Sequence, residues 1–161
     1  MKSRLRKGIA SAVVGLLLFA LAGCASPGVS VVSMSDYTGK APNGSLGTVK
    51  YIADRPGFKG LELKINITGF GDVDGVDNSD AEAVSTALVK HAAIVNDSGY
   101  SVTQYYFTYS TKDFRSGSSC PVTLYYLIDP SKLGDNLRFT FDYTTPGGQR
   151  ISVTAPVDVF K

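Results

Sequence analysis

Tryptophan is absent from this 161-residue chain, histidine occurs once and cysteine twice. Each scarcity closes off some chemistry. One histidine (His91) and two cysteines (Cys24, Cys120) fall short of the four nitrogen and sulfur ligands of a structural zinc site. Two cysteines allow at most one disulfide, and no Gly-x-Ser-x-Gly elbow marks a hydrolase nucleophile. The longest apolar run, from about Ile9 to Ala20, is shorter than the roughly 20 residues that a spanning helix needs. No internal repeat is present, and no low-complexity tract occurs beyond the short stretch Ala25 to Gly28. Basic residues cluster only at the N-terminus, which argues against nucleic acid as a partner.

That N-terminus is the most informative stretch. Lys2, Arg4, Arg6 and Lys7 come first without an acid, then the apolar run, then Leu21, Ala22, Gly23 and Cys24. This order is that of a cleaved export signal: a basic end held in the cytoplasm, an apolar middle that partitions into the bilayer, and small residues at the cut. The tetrad Leu21-Ala22-Gly23-Cys24 resembles the lipobox of bacterial lipoproteins. That resemblance implies cleavage between Gly23 and Cys24, and a diacylglyceryl group, with a possible N-acyl chain, on Cys24. It also implies residence outside the cytoplasm on the cell membrane, and on the outer membrane in a two-membrane cell, because Ala25 is not the Asp that favours inner-membrane retention. One acyl chain anchors marginally, at about 0.8 kcal/mol per buried CH₂, whereas two or three hold stably.

Cleavage has two consequences. Removing residues 1–23, with four basic residues, changes 16 basic and 14 acidic residues to 12 and 14, a formal charge of −2 on the 138 residues that remain. Lipid on Cys24 also leaves Cys120 without an intramolecular partner, so it reads as a small buried residue on a strand. The division expected is a signal peptide at 1–23, a lipidated tether at 24–28 and one domain at 29–161.

Within that domain the patterning is that of strands. Leu61, Leu63, Ile65 and Ile67 alternate with Glu62, Lys64, Asn66 and Thr68, which makes a half-buried strand. Val122 to Ile128 and Leu137 to Tyr143 alternate in the same way, and Ile151, Val153 and Ala155 begin a last strand after the hairpin loop 145–149. Val29 to Met34, Thr48 to Ala53 and Ser101 to Ser110 add further strands, with loops over Ser35 to Leu46 and Lys112 to Ser119. Ser79 to Asp97 mixes signals: Ser79 and Glu82 fit a capping box and the Ala-rich run suits a helix, while Ile94, Val95 and the Asn96-Asp97-Ser98-Gly99 turn favour a hairpin. The spacing predicts a helical turn near Ala81 to Val84 and then a strand from about Thr86 to Val95. Seven or eight short strands without alternating helices predict an all-β antiparallel sandwich.

Three places add a resemblance: Leu61 to Thr68 with the Asp77-Asn78-Ser79-Asp80 turn, the strand into Val95-Asn96-Asp97-Ser98-Gly99-Tyr100, and Val122 to Ile128 leading through Asp129 and Pro130 to Leu137. From about Ile65 onward the chain resembles the immunoglobulin-like domain of small surface lipoproteins of mostly Gram-positive bacteria. This family implies an immunoglobulin-like β-sandwich and offers no catalytic residues.

Three groups could carry chemistry. Asp72, Asp74, Asp77, Asp80 and Glu82 could converge on Ca²⁺, although the run lacks the Gly and Glu of an EF-hand loop. His91 could serve a hydrolase with an unidentified Ser and Asp. Tyr106 and Tyr125, on the faces of their strands opposite the expected core, could offer exposed rings to an envelope protein or a glycan. Taken together, the sequence reads as a lipid-anchored extracytoplasmic binding or structural module, with membrane lipid as its first partner and no catalytic activity.

Overall fold

The computed structural model describes residues 26–37, 57–134 and 136–160. Strand β1 (Gly28–Tyr37) pairs with β2 (Lys59–Thr68), in which Leu61, Leu63, Ile65 and Ile67 point inward at no more than 1% exposure. Each such side chain contributes roughly 1.5–3 kcal/mol on burial, so this face requires a second apolar layer. The chain continues with helix α1 (Ala81–Val89) and six further strands: β3 (Ala92–Val95), β4 (Ser101–Val102), β5 (Tyr106–Tyr109), β6 (Ser119–Ile128), β7 (Arg138–Thr144) and β8 (Arg150–Pro156). They form two four-stranded antiparallel sheets, ordered β1-β2-β6-β5 and β4-β3-β7-β8. Phe139, Phe141 and Tyr143 of β7 and Ile151 of β8 meet the β2 residues and Cys120, Val122, Leu124, Tyr126 and Ile128 of β6 in one shared core. The all-β sandwich expected from the alternation is what these residues build.

The helix corrects one expectation. The segment after Asp80 is helical to Val89, and the following strand covers only Ala92–Val95. Asp80, not Ser79, is the N-cap: its Oδ1 accepts from the amides of Glu82 (2.9 Å) and Ala83 (3.2 Å). Val84, Ser85, Leu88 and Val89 then fall on one buried stripe at helical spacing, packed against β6 and β5. A strand would have turned half of them to solvent. His91 consequently sits in the turn between α1 and β3 and not on a strand.

Two other boundaries moved. The expected strand over Ser101 to Ser110 is broken at 103–105, so β4 belongs to one sheet and β5 to the other. β1 continues through Tyr37, past the expected loop start at Ser35; the rest of that expected loop and the expected strand at Thr48 to Ala53 lie outside the described residues. On β1 the register shifts between Val31 and Ser33, leaving Val32 67% exposed. A bulge of this kind twists an edge strand away from further pairing.

The register also defines two ends. Ser26, the hydrogen-bonded pair Gly28 and Thr68, and the loops 69–80, 110–118 and 145–149 share one end. The turns at 96–100 and 129–137 lie at the other.

Candidate functional site

The acidic loop lies at the Ser26 end, and most of its carboxylates hold the backbone in shape. Asp72 Oδ1 accepts from Asn78 Nδ2 (2.6 Å), while Asn78 Oδ1 accepts from the amide of Val73 (3.0 Å). Asp77 Oδ1 accepts from the hydroxyl (2.7 Å) and amide (2.9 Å) of Ser79, which holds its carboxyl below the usual value of 3.8. Asp80 caps α1, and Glu82 accepts the Tyr109 hydroxyl (3.0 Å), which pushes that phenol up from 10.0. Asp74 is the exception, with no hydrogen bond or ion pair among the described residues. No three His, Cys, Asp or Glu side chains among the described residues come together as a metal-holding group. A Ca²⁺ shell takes six to eight oxygens, and these five acids form no such group among the described residues.

Asp74 lines a cleft of about 370 Å³ with Val73, Ala87, His91, Tyr143 and Thr145. His91 is fixed in it from both sides. Its Nδ1 lies 3.1 Å from the carbonyl of Asp142, its own carbonyl accepts from the Asp142 amide (3.2 Å), and its ring stands edge-on to Tyr143 at 5.1 Å. The Asp142 carboxylate pairs instead with Arg150 (2.6 and 2.8 Å) and is held below 3.8 by that hydrogen bonding. Burial, then the charge of Asp74, pushes the Tyr143 phenol above 10.0. The residues lining the cleft include no serine, and the Thr145 hydroxyl already accepts from the Gln149 amide (3.0 Å).

The tyrosines depart from the sequence reading. Tyr106 and Tyr125 are register partners on the outward face of the first sheet, as their alternation implied. Tyr125, however, is only 3% exposed and Tyr106 is half-buried. Tyr125 packs between Tyr37 (ring centroids 5.0 Å) and Tyr106 (5.8 Å), and Leu127 beside it is also 3% exposed. Gly60 permits the approach of β1 here, because a Cβ at that position would lie 2.2 Å from the Tyr37 carbonyl oxygen. Desolvation, followed by the charge and hydrogen bond of Glu62, keeps the Tyr125 phenol protonated well above its ordinary range. Tyr125 is thus a packed residue of a second, outward apolar layer and not a free surface ring.

No family model, curated protein or solved structure matches this chain. Its chemistry therefore rests on its own geometry. Gly23 and Cys24 lie outside the described residues, but the chain is already fixed at Ser26, whose carbonyl accepts the Thr68 hydroxyl at 2.8 Å. Among the described residues no helix is long and apolar enough to cross a membrane. Cys120 is fully buried with its Sγ 3.3 Å from the Ser85 Oγ, and burial pushes its thiol above 9.0 despite that contact.

Sequence reasoning missed a larger cleft of about 440 Å³ at the opposite end, between the β6–β7 connection and the residues after β8. Leu133, Leu137, Val157 and Phe160 form its apolar walls. Arg138 and Asn136 (2.8 Å) both donate to Asp97, whose carboxyl is held below 3.8 chiefly by Asn136 and then by Arg138. Asp97 lies some 40 positions from Asn136 and from Arg138 at the start of β7, and no local pattern links them.

Proposed function

We propose that the protein is a lipid-anchored extracytoplasmic binding or structural module of the bacterial cell envelope, an immunoglobulin-like β-sandwich held on the membrane through Cys24 and acting without catalysis. The observation that carries this reading is the distance between anchor and fold. The tetrad Leu21-Ala22-Gly23-Cys24 ends two residues before Ser26, whose carbonyl is hydrogen-bonded to Thr68. A residue reaches at most about 3.6 Å, so the sandwich stands within roughly 10 Å of the lipidated atom. With the Ser26 end toward the bilayer, the cleft at Arg138 points away from it, where an envelope protein or glycan would approach.

The test is fractionation of cells that express the full chain or its Cys24→Ser variant, fed a labelled fatty acid. The full chain is expected in the membrane pellet and labelled. The variant is expected to lose the label and to migrate as the uncleaved precursor. Label retained by the variant, or a labelled chain absent from the membrane fraction, would refute the anchor.

A further inference from the structure

We propose that a cleft at the Ser26 end seats the glyceryl ester head of the lipid carried on Cys24, which fixes the orientation of the sandwich on the membrane. This seat presupposes the anchor described above. Ser26, the first described residue, and Pro27 line a cleft of about 450 Å³ together with glycines of the 69–71 and 117–118 loops, Ser118 and Gln149. The Thr68 hydroxyl donates to the carbonyls of Ser26 (2.8 Å) and Gly28 (3.3 Å), so the chain is fixed where it meets the cleft. Cys24 precedes Ser26 by two residues, and at about 3.6 Å per residue any group on its sulfur is held beside the cleft.

The chemistry of the walls selects the occupant. The amides of Gly69 and Gly71 donate to the carbonyls of Ser118 (3.1 Å) and Gly117 (3.0 Å), which ties the two loops together. A Cβ at Gly117 would lie 3.4 Å from the Gly71 carbonyl oxygen, and both residues have a φ of 66°, so this approach needs glycine and leaves peptide groups bare along the cleft. Among the described residues no charged side chain lines it, whereas a phosphate head calls for Arg or Lys. A diacylglyceryl thioether is uncharged, carries no donor and presents two ester carbonyls as acceptors. The Ser118 hydroxyl and the Gln149 side-chain amide are donors, and neither has a hydrogen-bond partner among the described residues. Donors without charge, beside the residue that bears the esters, match that head and not the phosphate of a neighbouring lipid. A seated head keeps the cleft at Arg138 turned away from the bilayer, where a free tether would let the domain swivel.

The test uses the lipidated protein purified from cells fed isotope-labelled glycerol and placed in nanodiscs of unlabelled phosphatidylcholine, with the lipid on Cys24 verified by intact mass. Isotope-filtered nuclear Overhauser contacts are expected from the glyceryl protons to the α-protons of Gly71 and Gly117 and to the Gln149 side-chain amide. The double variant Ser118→Ala, Gln149→Glu removes both donors and is expected to lower the ratio of seated to free head about tenfold or more, read as loss of those contacts. Gln149 is exposed and Ser118 half-buried, so a urea unfolding midpoint equal to that of the wild type confirms that the variant is folded. A wild-type chain that bears the lipid by mass but shows no such contacts overturns the seat and leaves the anchor standing. Contacts unchanged in the double variant, or loop contacts to the nanodisc phospholipid in place of the anchor, overturn it as well. A mass without the diacylglyceryl group overturns the anchor and the seat together.

Discussion

Replacing Tyr125 by Ser tests whether the outward face of the β1-β2-β6-β5 sheet is a packed layer. The ring is 3% exposed between Tyr37 and Tyr106, and burial, then the Glu62 carboxylate, pushes its phenol's pKa up. Truncating a buried aromatic residue costs about 3–5 kcal/mol, and each ring pair adds about 0.5–1.5 kcal/mol beyond area burial. Tyr125 lies on the outer layer, where neighbours can relax, so about 3 kcal/mol is expected. Tyr106 is half-buried on the edge strand β5, and its replacement by Ser should cost about 1 kcal/mol. The two rings touch, so the double variant should fall short of additivity by about 1 kcal/mol. Equilibrium unfolding in urea measures all three: with a slope of about 1–3 kcal/mol/M, Tyr125→Ser lowers the midpoint by roughly 1–3 M at an unchanged slope. A midpoint lowered by less than about 0.5 M would mean that the ring is dispensable and that this face is an ordinary solvated one.

Two further outcomes follow from the caps and ion pairs. Asp80→Ala removes the acceptor for two α1 amides and should cost about 1 kcal/mol, while Asp80→Asn retains most of it; amide exchange should accelerate in α1 without changing in β2. Asp77, Asp97, Asp129 and Asp142 all have folded-state values below 3.8 through the hydrogen bonds they accept. A depressed carboxyl value contributes stability above the unfolded value and loses it as pH falls through the folded one, so Tm should decline between about pH 5 and pH 2. Arg150→Gln should flatten that decline by removing the Asp142 partner, and a Tm constant over this range would contradict the assignment.

The central strands were legible because their inward residues alternate regularly with mostly polar or aromatic ones. In 61–68 and 138–144 the period of two in burial survives intact, while in 122–128 the inward residues are those that alternation selects but Tyr125 and Leu127 on the other face are buried as well. The α1 segment was not, because Val84, Leu88 and Val89 are apolar in either conformation; the choice fell to Asp80, which caps in three dimensions what Ser79 offered on paper. The break between β4 and β5 was invisible because Val102, Phe107 and Tyr109 keep a strand-like composition across it. Tyr125 was misplaced for a related reason: alternation assigns a side chain to a face, but it does not say whether that face is covered. Of the candidate site, the acids and the histidine were visible as residue types. Their division, four accepting hydrogen bonds and Asp74 lining the cleft with His91, is set by side-chain geometry within the loop and by Tyr109 and Tyr143 across the fold, neither of which spacing encodes.

The bond from Thr68 to the Ser26 carbonyl also has a mechanical meaning. β1 starts beside it and runs antiparallel to β2 through nine register pairs. The ladder bonds lie perpendicular to the strands, so tension applied at residue 26 along β1 loads those pairs side by side in shear, not one after another as in a zipper. The load passes from β1 to β2 and on to β6, the two strands at the middle of their sheet. The slip at Val32 divides the ladder into two shorter blocks and is where such a clamp would yield first.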